Sequence, residues 1–244
     1  MAFTLLTHNT YWLQGMPFEG TDPGPARAEV VAGLAALYRT LNADVCCVQE
    51  LQSLAAFEAL ADATGMRGFF RSGQRYKPYG GAVLFQDGEP AGDDSRSNVL
   101  VERFWLKVRL GAGPLSGVVL CNAHLPSGRQ TSREDAAQAR VEELRALIAA
   151  KPRPEIVAGD FNEPPGGGVQ KLMEAQGFVD LAPKFGHGET DSHTRKHARR
   201  IDYVWVSAEL LPRVKAFHVP EPAELALGGG RYLSDHLPLA VRFE

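Results

Sequence analysis

The 244-residue sequence has no apolar run approaching the ~20 residues that cross a bilayer. It carries no excess of positive charge: the net charge is −3, which removes an overall basic field as a driver of loose nucleic-acid binding. Cysteine is scarce. Cys46 and Cys47 are adjacent and Cys121 stands alone, so no metal-type cysteine spacing exists. Neighbours on a strand face opposite sides, so Cys46 and Cys47 are expected as reduced core thiols, which fits a cytosolic setting. The opening Met1-Ala2-Phe3-Thr4-Leu5-Leu6 lacks a basic leader and a long apolar segment; no signal peptide is expected, and the expected location is cytoplasmic. There is no internal repeat, low-complexity tract or long linker, which points to one domain over residues 1–244. No protein partner is evident.

What is present is a globular core, at 44% hydrophobic residues, cut by many loops, with 16 prolines and 25 glycines. Short apolar runs predict strands at Phe3–Asn9, Val45–Val48, Gly80–Phe85, Asn98–Leu110, Val118–Cys121, Glu155–Ala158, Arg200–Ser207, Arg213–Val219 and Leu237–Phe243. Helical spacing predicts Ala26–Leu41, with Val30, Leu34, Leu37 and Leu41 on one face, then Ser53–Thr64 and Glu134–Ala150. Helices in both halves and more strands than helices favour two mixed sheets packed face to face with helices outside. The loops at Tyr11–Pro25 and Pro220–Gly230 read as lids, or as segments packed on the core.

The chemistry sits at the strand ends. Gly159-Asp160-Phe161-Asn162 ends one strand, and alternation puts the Asp160 carboxylate and the Asn162 amide on one side. A turn that caps backbone groups would use the same residues. Other strand ends carry Asn9, Glu50, and the pair Asn122 and His124; Asp202 lies inside an apolar strand, and Asp235-His236 opens the last one. A buried unpaired carboxylate is costly, so Asp202 needs a partner. Carboxylate and amide oxygens without thiolates suit Mg²⁺ or Mn²⁺. An imidazole with a carboxylate partner suits a base that activates water. Together these groups describe metal-assisted hydrolysis of a phosphate ester.

Gln49-Glu50, Asn122-Ala123-His124-Leu125, Gly159-Asp160-Phe161-Asn162, Arg200-Ile201-Asp202-Tyr203-Val204 and Ser234-Asp235-His236-Leu237-Pro238 follow in this order. The set resembles the endonuclease/exonuclease/phosphatase superfamily, which includes deoxyribonuclease I, exonuclease III, sphingomyelinases, inositol phosphatases and deadenylases. The resemblance implies a four-layer α/β/β/α sandwich of two mixed, mainly antiparallel sheets. It implies Glu50, Asn9 and Asp235 at a catalytic divalent ion. It implies Asp160 and Asn162 at the attacking water, His236 with Asp202 as base or charge partner, and His124 and Asn122 at the phosphate.

Two departures weaken a DNA-repair reading. His124 stands where the apurinic endonucleases and exonuclease III usually have Tyr, and Tyr11 stands where the repair enzymes often carry a carboxylate. The Trp-Cys form of the Asp202 motif found in inositol 5-phosphatases is absent. Arg195–Arg200 and Arg129 either grip a phosphate or nucleic-acid backbone or form solvated loops; Arg200, Arg129 and Trp12 are candidate substrate contacts. The reading is a phosphodiesterase or phosphatase acting on a small or medium ester. A DNA or RNA nuclease is the alternative within the same chemistry, and a scaffold without catalysis is the alternative outside it. Each matched position holds the expected residue type, which disfavours the scaffold.

Overall fold

The computed structural model describes residues 2–20, 22–92, 99–129, 131–194 and 199–244. One six-stranded sheet has the order β11-β14-β1-β2-β4-β3, formed by β1 (Phe3–Asn9), β2 (Val45–Leu51), β3 (Arg67–Arg71), β4 (Gly80–Phe85), β11 (Val214–His218) and β14 (Leu239–Phe243). The other has the order β5-β6-β7-β8-β10-β9, formed by β5 (Gly88–Pro90), β6 (Phe104–Leu110), β7 (Val119–His124), β8 (Ile156–Asp160), β9 (Phe178–Asp180) and β10 (Asp202–Ser207). Each sheet has one parallel pair, β1 with β2 and β7 with β8, among antiparallel neighbours.

Strand alternation sorts the core into layers. Leu5, Val45, Cys47, Leu120, Ile156, Ala158, Val204 and Val206 fill the space between the sheets. Their neighbours point the other way. Leu6, Cys46 and Val48 pack under α1 (Ala28–Thr40) and α2 (Leu54–Thr64). Cys121, Val157, Tyr203 and Trp205 pack under α3 (Arg133–Ala149) and α4 (Gly168–Ala175). The result is an α/β/β/α sandwich, as expected. Fully burying one such aliphatic side chain contributes about 1.5–3 kcal/mol, so the two sheet faces clamp each other firmly. The three cysteines are free and buried.

The helix signals behave as the sequence implies. Ser53 caps α2 by accepting the Ala56 N–H at 3.1 Å, and Gly65 closes it in the left-handed region. The expected strand from Asn98 is shorter: β6 starts at Phe104, residues 101–103 are irregular, and Asn98 lies outside the described residues. Neither loop proposed as a lid stands free. Met16 and Tyr232 exchange two backbone hydrogen bonds, at 2.8 and 2.9 Å, which tie the Tyr11–Pro25 loop to the hairpin of β12 (Ala226–Gly228) and β13 (Arg231–Tyr232). Leu225 is fully buried and anchors the second loop.

Asn122 corrects one expectation. It is fully buried between the sheets, where its amide donates to Val48 O at 3.0 Å and Ala82 O at 2.8 Å. Its oxygen accepts from Gln49 Nε2 at 2.7 Å. Every polar atom is occupied below the site, so Asn122 bolts the second sheet to β2 and β4 and does not reach a phosphate.

Asn122→Leu keeps the volume and strands those partners in a dry layer. Each buried group left unpaired costs about 1–3 kcal/mol, so urea unfolding should show a loss of ~3 kcal/mol or more at an unchanged slope. A loss under ~1 kcal/mol would refute the bolt.

Candidate active site

Asn9, His124, Asp160 and Asp202 continue the inward parity of β1, β7, β8 and β10, so strand alternation alone brings them to one end of the inter-sheet space. Glu50 has the opposite parity and arrives by another route. Between Gln49 and Leu51 the register with β4 shifts, and Glu50 takes a left-handed φ of 56°. The bulge turns its carboxylate inward. The facing strand must be thin here: a Cβ on Gly81 would lie 2.0 Å from the Phe104 ring and 2.4 Å from Val48 O. Gly159 is constrained in the same way, at φ 142° with a Cβ position 1.9 Å from Ala123 O.

Asp160 is the hub. It accepts from Asn9 Nδ2 at 3.0 Å and from the Asn162 N–H at 2.8 Å, and His124 Nε2 lies 3.2 Å away. Burial opposes its ionisation, but the His124 hydrogen bond and the charges of His236 and Arg103 outweigh burial and hold the carboxyl well below its ordinary range. Asn162, at φ 51°, donates its side-chain amide to Leu125 O at 3.1 Å. His236 Nδ1 pairs with Asp202 Oδ2 at 2.8 Å, and its Nε2 is 4.0 Å from both Asp160 and Asp235. Burial would lower this imidazole, yet Asp202, Asp235 and Asp160 push it up to about 10. Ligand atoms of Asp160, Asp202 and His236 lie within 4.8 Å of one another. Ser234 ties the strands together, donating to Asn9 O at 2.7 Å while accepting the His236 N–H at 3.1 Å.

Beside the His–Asp pair is a surplus of negative charge. Glu50 is buried, and its carboxylate stands 4.0 Å from His124 Nε2. Burial pushes it up to about 7; Arg103 opposes this, and Asp235 and Asp160 reinforce it. Asp235 Oδ1 is buried with no hydrogen-bond partner among the described residues. Asn9 Oδ1 accepts the Tyr11 N–H at 3.1 Å and retains a second lone pair. Hard oxygen donors, one orphaned and one destabilised by its carboxylate neighbours, fit a divalent cation of the Mg²⁺ or Mn²⁺ kind.

Two of the three expected substrate contacts are engaged elsewhere. Arg200 is buried in an ion pair with Asp180 at 2.8 Å, donates from Nε to Gly188 O, and lies 4.5 Å over the Tyr203 ring. Arg129 is exposed on the loop after β7. Trp12 is buried, its Nε1 donating to Pro78 O at 3.0 Å, within a wall of Tyr11, Phe18 and Tyr79. It offers no free stacking face. Arg195, Lys196, His197 and Ala198 lie outside the described residues. Sequence reasoning missed Arg103, which touches His124, and His193, whose ring is 4.2 Å from that of His236. Arg103 precedes an apolar strand, and His193 sits in a polar loop; neither carries a motif.

The Endonuclease/Exonuclease/phosphatase family model matches residues 6–236. An AP endonuclease from Archaeoglobus fulgidus superposes with a TM-score of 0.71 at 17% identity, over 99% of each chain. The endonuclease domain of a telomere-specific non-LTR retrotransposon gives 0.68 at 14%, over 100% of this chain and 99% of its own. A mannosyl-6-phosphatase from Bacteroides thetaiotaomicron gives 0.66 at 18%, over 98% of each chain. These likenesses are of fold. No curated protein matches by sequence.

The raised Glu50 carboxyl sets a pH dependence. Between pH 4.5 and about 7 the unfolded chain ionises Glu50 while the folded chain keeps its proton. Metal-free stability therefore falls across that window, by about 1.4 kcal/mol per pH unit. Glu50→Gln removes the fall, so the metal-free variant should melt higher than the wild type near pH 8 and close to it near pH 4. Mn²⁺ should raise the wild-type melting temperature and leave the variant unmoved. An equal Mn²⁺ shift in both proteins would exclude Glu50 from the cation site.

Proposed function

The chain belongs to the endonuclease/exonuclease/phosphatase family, and from that premise we propose that it hydrolyses a small or medium phosphate ester with the help of a divalent cation. The observation that carries this reading is the His236–Asp202 pair at 2.8 Å, with Asp160 and Asp235 each 4.0 Å from His236 Nε2 and the buried Glu50 carboxyl within their field. Family enzymes use divalent metals. Glu50, Asp235 and Asn9 would hold the ion, which supplies positive charge to the phosphate oxygens as the ester is cleaved.

The chain's own groups do the rest. Asp160 stays ionised and, with the Asn162 turn, orients the attacking water. In its neutral form His236 Nε2 takes the water proton, a form that a cation beside Asp235 would favour by offsetting the carboxylate charge that raises the imidazole, while Asp202 holds Nδ1, fixes the tautomer and stabilises the imidazolium. His124 is pushed down to about 3 by burial and Arg103, against the pull of Asp160. It is therefore neutral at ordinary pH and meets the phosphate as a hydrogen-bond donor, without adding charge. Ester oxygens gain charge in the transition state, so donors fixed beforehand lower the barrier.

The described surface gives no specific support to a nuclease. Arg200 is spent on Asp180, and Trp12 is packed among Tyr11, Phe18 and Tyr79. In a panel of 4-nitrophenyl phosphate, bis(4-nitrophenyl) phosphate, plasmid DNA and RNA with Mg²⁺ or Mn²⁺, the small esters should turn over and the polymers should not. Efficient, steeply salt-dependent nicking would reverse that order.

His236→Ala should lower turnover by about 10²–10⁴-fold. Asp202 raises the His236 imidazole, so Asp202→Asn should move the ascending limb of the kcat/KM profile to lower pH and lower its plateau. A limb that stays in place would remove His236 from the base role.

A further inference from the structure

Arg103 is buried, at 2% exposure, just before β6, and its guanidinium reaches the site. Nη2 donates to Ser127 Oγ at 2.7 Å, and the group lies 4.5 Å over the Tyr79 ring. Nη1 meets His124 Nε2. Nε has no hydrogen-bond partner among the described residues, and Glu102 Oε1 is 4.0 Å from it.

The Arg103–His124 contact is chemically incomplete. His124 Nε2 also lies 3.2 Å from Asp160 Oδ2. A neutral imidazole nitrogen either donates or accepts. The carboxylate demands a donor, and the guanidinium, which never loses its proton, demands an acceptor. When His124 serves Asp160, Arg103 Nη1 faces an N–H. A permanent buried cation is then left with one donor opposed and another unpaired, its charge balanced by carboxylates but its hydrogen bonds incomplete. An anionic oxygen beside the two groups gives the Arg103 donor an acceptor and shares the His124 N–H with Asp160.

The same side of the site is lined by aromatic rings. Tyr79 lies over Arg103 and 6.2 Å from the His124 ring, and Trp12 backs Tyr79 at 5.1 Å. A phosphate held there turns one oxygen toward the buried guanidinium beneath the Tyr79 ring. A monoester presents three non-bridging oxygens and a second negative charge; a diester presents two oxygens and one charge.

We propose that Arg103 is a catalytic residue that binds a non-bridging oxygen of a phosphate monoester on the walled side of the site, and so selects monoesters over diesters. The proposal rests on the phosphate-ester reading above and narrows its substrate class.

The test compares wild type, Arg103→Met and Arg103→Lys on 4-nitrophenyl phosphate and bis(4-nitrophenyl) phosphate with Mn²⁺. Inorganic phosphate binding to each Mn²⁺-loaded protein is measured in parallel by calorimetry, with thermal melts to check the fold. Arg103→Met should lower kcat/KM for the monoester by about 100-fold or more, lower it for the diester by under ~10-fold, and weaken phosphate binding by ~10-fold or more. Lysine keeps the charge without the planar fork and should fall between; if the methionine variant fails to fold, the lysine variant carries the comparison. Equal losses on both esters would overturn the selectivity, and unchanged rates and phosphate binding would overturn the contact. Wild type inactive on both esters would overturn the hydrolase reading instead, while Arg103-dependent phosphate binding in that protein would still support the oxygen contact.

Discussion

Mutual repulsion among buried carboxylates is the constraint on which the rest depends. Glu50, Asp160, Asp202 and Asp235 sit within reach of one another's fields at one end of the inter-sheet space. Removed from water, like charges at such range raise one another's cost of ionisation. The fold answers with two cations, His236 and Arg103, which leave a remainder of negative charge. A divalent cation and a phosphate together complete that balance. The high-energy arrangement is held by two sheets whose facing side chains are almost entirely buried, so the groups cannot relax by swinging into solvent.

Local backbone does what alternation cannot. Parity delivers Asn9, His124, Asp160 and Asp202, but Glu50 and Asn162 need left-handed φ values of 56° and 51°. A non-glycine residue there costs on the order of 1–3 kcal/mol. The flanking ladder of β2 on β1 and β4 makes that strain sustainable at Glu50. Gly81 and Gly159 admit close neighbours where any side chain would collide. Ser234 then couples the end of β1 to the backbone of His236, and His8 Nε2 contacts His236 O at 3.0 Å from beneath. The position of the base is thus fixed from the β1 side.

Much of this was legible in the sequence, for identifiable reasons. Apolar alternation in Phe3–Asn9, Val45–Val48 and Glu155–Ala158 defines both the strands and their inward parity, and polar residues that continue the parity past a strand end must converge. That rule finds Asn9, His124, Asp160 and Asp202. It cannot distinguish depth, which is why Asn122, two residues earlier on the same face as His124, reads as a site residue and is instead a bolt between sheets. Nor can it read rotamers: Arg200 and Trp12 look available, yet one is spent on Asp180 and the other on Pro78 O. Arg103 was invisible because a lone charge at a strand start ordinarily faces water.

The polar face of α3 explains how Arg103 comes to be buried. Helical periodicity predicts an apolar inner face there, but Arg140 and Glu143 are also buried, beside Leu144 and Leu147. Glu143 accepts the Glu102 N–H at 2.7 Å, which fixes the residue before Arg103. Arg140 donates to Pro126 O at 3.0 Å and sits 3.4 Å from Glu163, whose other oxygen accepts the Val169 N–H at 2.7 Å. One helix therefore grips three irregular segments at once: the one before β6 that carries Arg103, the one after His124 that carries its Ser127 anchor, and the one after Asn162. Apolar packing would have left their backbone groups unpaired, whereas charged side chains reach and satisfy them. The buried Arg140 and Glu143 side chains of α3 are thus the outer support of the site. They set the reach of Arg103 as the strand bolts set the reach of His124.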